Sequence, residues 1–515
     1  MQNKPWAQVE ECENPAARDE AGGTTRREFL AGLGAGAAAT LAMMSSLPGC
    51  WIAPVQAPAV PAPGKGAAAP SAYLASEEPF FAQFKKTLLL RNQDKYIVNG
   101  QKGSMPIPIL KHFKEGLDQI AEVPFPVYLE PPAETRAKIA KGYGARVDEI
   151  AISRNTTDAI SQIMNGQHWE AGDEILCSTM EYHNCIAIVL RMASHFNVRI
   201  RQFGVPMGLG ATAEEVVESV RRQIRPGKTK LIFFSCPTNP NGQKLPARRI
   251  AKLAQEYGII TAVDGAHYGG MFVPELDEMG IDFWGIAGHK WQCGPGGTGI
   301  LYVRNAELSA NLLPLPRFHL VRSGDLDGPM DGSRPSGWDI GAALSVYGFP
   351  ESADWRALGE ACQLWDALGR KRIESYILEL SDYTRSGIAA AFGEEALLQP
   401  IRDPEMKSGI VAFNPFPEKS QKQDPRLARA FQDRMFSEYG YHVGMGGYGP
   451  TGLTRPPDPE AAAFTQFCIP NRDPVTNEPA PTVIPFRVDT AIWNTRQNFD
   501  DFIAICRELT AKLVA

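Results

Sequence analysis

The nine cysteines of this 515-residue chain are scattered, and no two of them form a CxxC pair. An odd number without paired spacing supports neither a disulfide framework nor a metal site, and it is typical of a protein that folds in a reducing compartment. No run of about eighteen strongly apolar residues occurs after residue 50, so we expect no internal membrane span. The net charge of −6 argues against nucleic acid as a partner, because broad phosphate binding needs excess positive charge.

What the chain does have is enough apolar material for large buried cores. Hydrophobic residues make up 44% and charged residues 21%, close to the averages of soluble globular proteins. At about 150 residues per domain, the length predicts two or three domains.

A basic pair precedes an apolar stretch near the N-terminus. Residues 24–30 read TTRREFL, and a run of small and apolar residues follows from Leu30 to Leu47. Together they resemble a twin-arginine export signal, although the usual lysine after this motif is Ala31 here. A buried Gly/Ala-rich helix is the alternative. The signal implies the twin-arginine export machinery as a partner and a periplasmic or other extracytoplasmic location.

Two processing sites fit such a signal. LPGC at 47–50 resembles a lipoprotein cleavage box with Cys50 as the lipidated residue, and cleavage after Ala57 is its rival. The Pro/Ala-rich run at 53–71 is typical of an extended tether. We therefore expect a signal segment at 1–50, a linker at 51–75 and a fold that begins near residue 75.

Short apolar runs alternate with helical patterns between about residues 148 and 304, which predicts an α/β domain with a mostly parallel sheet between helices. Polar clusters follow four of the predicted strands, and they read NTTD, MEYHN, CPTNPNG and DGAH. Since ligands bind at the carboxyl ends of strands in such sheets, the clusters predict a single site.

The pattern changes after about residue 316. A long helical stretch at 351–391, strands at 409–414 and 483–489 and a final helix at 497–513 predict a smaller α+β C-terminal domain. Residues 446–484 are rich in Gly and Pro, which predicts long loops over the site. The predicted folded domains are thus 76–315 and 316–515.

The segment AGHKWQCGPGGTG at 287–299 places Lys290 after an apolar strand and before a glycine-rich loop. An amine buried there is suited to form a Schiff base, because burial lowers its pKa. Asp264 in VDGAH stands at another strand end, where a carboxylate is able to keep a pyridine nitrogen protonated. Alone, such a lysine is more often an exposed surface residue, and such an aspartate is typical of a helix N-cap or a turn, but the pair in one α/β domain points to pyridoxal phosphate (PLP).

The motif order NTTDA, EYH, TNPNG, DGAH, GHKW resembles the class V aminotransferase family of fold type I PLP enzymes, and HKWQCGPGGTG is most similar to its isopenicillin N epimerase-like branch. The resemblance covers roughly residues 95–510. It implies PLP as the cofactor, no metal, and a homodimer with shared active sites.

The resemblance also implies site roles. Lys290 matches the Schiff-base lysine that moves the Cα proton, and Asp264 the partner of the pyridine nitrogen. Asn239 and His267 match ligands of the cofactor's phenolic oxygen. The phosphate contacts are expected from three residues, namely Thr156, Thr157 and His289; a serine often found before that histidine is Ala287 here.

Three further roles follow from the same resemblance. Tyr182 occupies the place of the ring that stacks on the cofactor, with His183 as the rival. Arg487 in FRVDTAIWNT matches the arginine that binds the substrate carboxylate, for which a planar guanidinium is suited. Ser333 in DGSRPSG matches the residue that a neighbouring subunit supplies to the phosphate.

The reaction stays open at this level. We expect transamination or epimerisation at the α-carbon of an amino acid or small peptide, with a β-lyase of a sulfur-containing amino acid, or a non-catalytic exported binding protein, as alternatives. All of these reactions begin with removal of the Cα proton. Tyr182 and His442 are the candidates for the second base of an epimerase. Residues 440–452 contain no cysteine, which disfavours a desulfurase that works through a persulfide.

Overall fold

The computed structural model describes residues 71–124, 133–304, 339–345, 351–400, 402–445 and 483–515. The predicted export signal, Ser333 and residues 446–482 of the predicted loops lie outside these ranges. None of the helices in the described ranges has the length and apolar character that a membrane crossing needs.

The strands of the first sheet coincide with the apolar runs of the sequence. They are β1 (Ile150–Ser153), β2 (Glu174–Ser178), β3 (Arg199–Phe203), β4 (Thr229–Ser235), β5 (Ile260–Gly265), β6 (Phe283–Ala287) and β7 (Gly299–Val303). Within the described residues they form a seven-stranded sheet in the order β1-β7-β6-β5-β4-β2-β3. The neighbours from β6 to β3 are parallel, and β7 runs antiparallel to both β6 and β1. The predicted mostly parallel sheet is confirmed.

Helices surround this sheet and continue to the C-terminus. The α-helices of the described residues are α1 (Ala72–Lys85), α2 (Ile107–Glu122), α3 (Ala133–Tyr143), α4 (Thr156–Gly166), α5 (His183–Phe196), α6 (Ala213–Gln223), α7 (Ala247–Glu256), α8 (Leu276–Met279), α9 (Ile340–Ser345), α10 (Ser352–Leu368), α11 (Arg370–Phe392), α12 (Lys419–Lys422), α13 (Pro425–Ser437) and α14 (Arg496–Val514). Short 3₁₀ helices lie at Gln93–Lys95, Val147–Glu149, Glu394–Ala396 and Pro404–Met406.

Side chains of β4 alternate between two hydrophobic cores, one on each face of the sheet. Leu231 and Phe233 pack in the core that contains residues of α4 and α5, whereas Ile232 and Phe234 pack in the core that contains residues of α6 and α7. This alternation follows from the two-residue period of a strand. The sheet is therefore covered by helices on both faces, as the apolar strands predicted.

The second sheet lies in the C-terminal part. Its strands, β8 (Ile410–Phe413), β9 (Gly444–Met445) and β10 (Phe486–Asp489), are antiparallel in the order β8-β10-β9. Phe413 and Phe486 contact aromatic rings of α13 and α14. This arrangement confirms the predicted α+β part. The described residues belong to one compact unit, and the boundary at 315 stays a prediction.

Two details differ from the sequence pattern. The helical stretch predicted at 351–391 consists of two helices: Gly369, with φ +88°, separates α10 from α11, because a positive φ is incompatible with a continuous right-handed helix. At the other end, α1 begins at Ala72, inside the predicted linker, where the Ser71 hydroxyl accepts a hydrogen bond from Leu74 N.

Candidate active site

A cavity of about 960 Å³ opens at the carboxyl edge of the first sheet. Its volume is in the range of small-molecule and cofactor sites. Every predicted site residue within the described ranges lines it: Thr156, Thr157, Tyr182, Asn239, Asp264, His267, His289, Lys290 and Arg487. Ser333 lies outside the described ranges, so its predicted role is untested.

The N-terminus of α4 faces this cavity. Asn155 caps the helix by accepting a hydrogen bond from Asp158 N at 2.9 Å. Thr156 and Thr157 form the first turn, where backbone N–H groups lack helical partners and attract anions. The hydroxyl of Thr156 is buried without a hydrogen-bond partner. This unpaired donor and the helix end together suit a phosphate group.

Asp264 is the last but one residue of β5 and is 3% exposed. Its Oδ1 accepts a hydrogen bond from Ala266 N at 2.9 Å, and its Oδ2 lies 3.1 Å from Cys185 Sγ. Register pairing places Asp264 beside Ser235 of β4 and Gly285 of β6. The carboxylate is therefore fixed in the middle of the sheet edge.

The hydrogen bonds of His267 decide which ring nitrogen carries its proton. Trp291 Nε1 lies 3.3 Å from His267 Nδ1, and an indole N–H only donates. Burial, and then the charge of Lys290, lower the pKa of His267 well below its usual value. The neutral ring therefore accepts at Nδ1 and carries its proton on Nε2. The side-chain nitrogen of Asn239 lies 3.4 Å from this Nε2, and because both groups then carry N–H, they do not hydrogen-bond each other and both are free to donate to a ligand. An N–H at this position suits an oxygen acceptor such as a phenolate.

Lys290 follows β6 after a two-residue turn. Burial lowers the pKa of its amine to about 8; Asp264 raises that pKa and Arg487 lowers it. Gly103 packs so closely on the turn that a Cβ there would clash with the backbone oxygen of Lys290, and Gly103 N donates to His289 O at 2.8 Å. The amine is thus held on a rigid turn in a form that readily loses its proton.

His289, beside the lysine, is half-buried, and burial followed by the Lys290 charge lowers its pKa. Its Nδ1 lies 3.5 Å from Thr298 O. Since Nδ1 of His289 faces this carbonyl oxygen, Nε2 is the ring nitrogen that remains for a ligand.

Arg487 is on β10, the central strand of the second sheet, and is 6% exposed. Its Nη1 donates to Asn239 O at 2.8 Å, and its Nε lies 3.6 Å from Asp489 Oδ1. Asp489 is fully buried and its Oδ2 accepts a hydrogen bond from Gly100 N at 2.6 Å. Arg487 is therefore a buried arginine on a central strand, and not a surface residue at the edge of the sheet.

The two rings proposed for stacking both line the cavity. Tyr182 is half-buried at the start of α5, and its ring centroid lies 4.3 Å from that of the more exposed His183. The choice between them stays a prediction. His442, the other candidate for a second base, is exposed and packs on Phe436 instead.

Three cavity or near-cavity residues were missed by the sequence analysis: Glu181, Cys185 and Asp489. Glu181 accepts hydrogen bonds from Ser235 N and Oγ at 3.1 and 2.7 Å, and burial raises its pKa to about 8. Glu181 had a signal in the strand-end cluster MEYHN. Asp489 had one as well, because residues two apart on a strand share a face, which places it beside Arg487.

These residues fit PLP. The cavity combines an anion-binding helix end with an unpaired buried hydroxyl, a buried carboxylate, a neutral histidine N–H and an amine of lowered pKa. Over the described ranges, no group of three or more His, Cys, Asp or Glu side chains is arranged to hold a metal ion.

Comparisons with known proteins point to PLP as well. The profile described as "Aminotransferase class-V" matches residues 131–424, more than half of the chain. The chain is 30% identical to isopenicillin N epimerase of Amycolatopsis lactamdurans over 283 residues, 54% of this chain and 69% of the relative. It is 26% identical to a probable cysteine desulfurase of Methanothermobacter thermautotrophicus over 286 residues, 55% of this chain and 66% of the relative.

Solved structures show the same fold. The cystine C–S lyase C-DES, solved with its product cysteine persulfide, superposes with a TM-score of 0.61 at 21% identity, over 80% of this chain and 97% of that one. In another structure of C-DES, glycine is covalently linked to its PLP cofactor. The prediction of PLP is confirmed at the level of the family, and this chain belongs to the aminotransferase class V family of PLP-dependent enzymes.

Proposed function

We propose that this protein acts at the α-carbon of an amino acid or small peptide, and either transfers the amino group or inverts the configuration of that carbon. The observation that carries the proposal is that Lys290, Asp264 and Arg487 line one cavity. Together they supply a proton-carrying amine, a carboxylate for the cofactor and a cation for the substrate.

When bound, PLP withdraws electrons from the substrate α-carbon through its protonated pyridine nitrogen. Asp264 holds the proton on that nitrogen, and its negative charge is fixed there by the Ala266 N–H. Thr156 and Thr157 hold the phosphate at the end of α4. His267 donates its Nε2–H to the phenolic oxygen, with Asn239 beside it.

Lys290 moves the proton at the substrate α-carbon. Since its pKa is about 8, a substantial fraction of the amine is unprotonated near neutral pH, whereas an ordinary lysine is almost fully protonated there. A base with a pKa close to the working pH transfers protons in both directions efficiently.

Arg487 binds the substrate carboxylate. Asn239 O and Asp489 hold one side of its guanidinium, and the remaining N–H groups are available for two parallel hydrogen bonds to one carboxylate. Fixing the carboxylate and the cofactor together orients the bond to the α-proton.

A β-lyase acting on a sulfur-containing amino acid is the second candidate. The similarity in fold to the cystine C–S lyase C-DES favours it, since that reaction starts with the same proton removal. A non-catalytic binding protein is less favoured because Lys290 and Asp264 are both present and share the cavity.

A substrate panel tests the proposal. The purified protein with PLP is incubated with single amino acids and short peptides, and the visible spectrum of PLP is followed together with keto acid, ammonia and enantiomer composition. Keto acid release identifies a transaminase, inversion an epimerase, and ammonia with a released thiol or persulfide a β-lyase. A protein that binds no PLP would disprove the proposal.

We further propose that the chain is exported by the twin-arginine route, with processing at Cys50 or after Ala57. The six described cysteines are free and buried, which supports folding before export. Changing both Arg26 and Arg27 to Lys is expected to leave the protein in the cytoplasm, whereas Arg18→Lys is not; unchanged export of the double variant would contradict the signal.

A homodimer with shared sites is also proposed, with Ser333 of one subunit reaching the phosphate in the other. Sedimentation tests the dimer. Mixing Lys290→Ala subunits with Ser333→Ala subunits tests the sharing: hybrid dimers are expected to contain one site that lacks both side chains and one that is intact, so activity should appear only on mixing if Ser333 is essential. Unchanged activity in Ser333→Ala alone would contradict the role of Ser333. An inactive Ser333→Ala variant that stays inactive in the mixture would contradict the sharing of sites.

A further inference from the structure

The carboxylate of Asp264 has a donor on each oxygen. Ala266 N donates to Oδ1 at 2.9 Å, and Cys185 Sγ lies 3.1 Å from Oδ2. Asp264 is 3% exposed and Cys185 1% exposed. Cys185 belongs to the first turn of α5, and both residues line the cavity. The carboxylate is therefore clamped between a backbone amide and a thiol.

The thiol is the donor in this contact. Burial, and then the negative charge of Asp264, raise the pKa of Cys185 well above its usual value, so the sulfur keeps its proton. An ionised carboxylate only accepts hydrogen bonds. The S–H of Cys185 thus points to Oδ2, and a hydrogen bond to the charged form of a carboxyl favours that form.

The neighbouring carboxyl does not compete for this role. Glu181 lies close enough to Asp264 to interact with it, and its pKa is raised to about 8, mainly by burial. At neutral pH Glu181 is therefore mostly protonated. Glu181 accepts hydrogen bonds from Ser235 rather than from the donors of Asp264, so the two oxygens of Asp264 are left to the thiol and the amide.

We propose that Cys185 is a positioning residue for the cofactor: its S–H holds the Asp264 carboxylate in the orientation and charge state that keep the pyridine nitrogen of PLP protonated. The inference rests on the proposed use of PLP. It assigns to a buried thiol a task in the site that is independent of thiol reactivity.

Infrared spectroscopy of the S–H stretch tests the contact without cofactor or substrate. The band of Cys185 is identified as the one that Cys185→Ser removes from the spectrum of the apoprotein. We expect this band to lie at lower frequency than that of Cys177, which is equally buried in the same core. It should move to higher frequency in Asp264→Asn, because a neutral amide is a weaker acceptor. A Cys185 band that does not respond to Asp264→Asn would overturn the proposal.

Cofactor affinity tests the consequence. Cys185→Ala removes the donor, and we expect the apparent dissociation constant of PLP to rise roughly three- to tenfold, which is the effect of one modest hydrogen bond to a charged group. Cys185→Ser keeps a donor and is expected to restore most of the affinity. Cys177→Ala is the matched control, since it removes a buried thiol from the same core without touching Asp264.

Equal affinity in Cys185→Ala and wild type, or equal losses in Cys185→Ala and Cys185→Ser, would also overturn the proposal. These failures differ from a failure of the proposed function, in which the wild-type protein itself would not bind PLP. If Cys185→Ala does not fold, the serine variant and the infrared response to Asp264→Asn still decide the question.

Discussion

The two sides of the cavity are built from very different distances along the chain. The first-sheet side (Thr156, Asp264 and Lys290) lies at the carboxyl ends of β1, β5 and β6: Asp264 is on β5, and the other two follow their strands within three residues. The second-sheet side (Arg487 and Asp489) depends on Asn239 O, 248 positions from Arg487, and on Gly100 N, 389 positions from Asp489. The residues of the first side are thus set by short motifs at the ends of strands, whereas those of the second side come together only when distant segments of the chain meet.

Their electrostatics differ as well. On the first-sheet side, Lys290 and Asp264 line the same cavity, and burial lowers the pKa of the Lys290 amine to about 8 even though Asp264 raises it. On the second-sheet side, Arg487 has a buried counter-ion, and burial raises the pKa of Asp489 even though Arg487 lowers it. One side is arranged to change its protonation state, and the other to keep a charged pair in place.

Lys290→Ala is expected to have the largest effect. Among the described residues, Lys290 is the one lysine that lines the cavity. Covalently attached PLP, trapped by borohydride and located by mass spectrometry, and turnover should therefore both be lost. Lys252→Ala, an exposed change on α7, is the control. Normal activity with trapped PLP in the Lys290 variant would show that the assignment is wrong.

Asp264→Asn comes next. The amide cannot hold the pyridine proton, so we expect PLP to bind while the rate constant for Cα deprotonation falls by roughly a hundredfold or more, the usual cost of losing one preorganised electrostatic contact. Deuterium exchange at Cα measures that rate constant. A near-normal value would contradict the mechanism.

Asp489→Ala tests how far the second-sheet side depends on its long-range pair. It leaves the Arg487 charge and the Gly100 N–H buried without their partner, which typically costs about 3 kcal/mol of unfolding free energy or more. Chemical denaturation measures it. The exposed pair Arg434–Glu438 provides the control, since Glu438→Ala should change stability by well under about 1 kcal/mol. Equal small effects would mean that the buried pair contributes little.

Arg487→Lys separates charge from geometry on the same side. An ammonium retains the charge but cannot make two parallel bonds to one carboxylate, so substrate affinity should fall by about ten- to a hundredfold, or about 1.5–3 kcal/mol. Decarboxylated amine analogues should lose much less. Equal losses for both kinds of ligand would discard Arg487 as the carboxylate anchor.

The smallest expected effect is a shift in the pKa of Lys290, on the first-sheet side, when Arg487 on the second-sheet side is changed. The unprotonated amine attaches PLP, so the rate of PLP attachment to the apoprotein should rise with pH up to about 8, the pKa of Lys290, and then level off. Arg487 lowers that pKa, so Arg487→Gln should raise it and move the profile to higher pH. Stopped-flow absorbance measures the rates, and a profile that moves to lower pH would contradict the coupling.

The residues of the first-sheet side could be predicted almost entirely from the sequence, and the other residues of the cavity only in part. Strand ends marked by NTTD, DGAH and GHKW brought Thr156, Asp264 and Lys290 together because parallel strands share one carboxyl edge. Glu181, although it lies in the strand-end cluster MEYHN, was assigned no role, and Cys185 carried no such mark. Their partners, Ser235 and Asp264, lie 54 and 79 positions away, and no local period reveals such contacts.

By itself, the sequence determined the α/β class, the strand ends, the lysine–aspartate pair and the family, because these depend on periodic burial and short motifs. Only the tertiary structure decided that Gly369 divides the helical stretch at 351–391 into two helices, that Trp291 places the proton of His267 on Nε2, and that Asp489 pairs with Arg487 and accepts from Gly100 N. These outcomes depend on hydrogen bonds and ion pairs between distant segments. Their free energy comes from burial that exists only once the chain has folded.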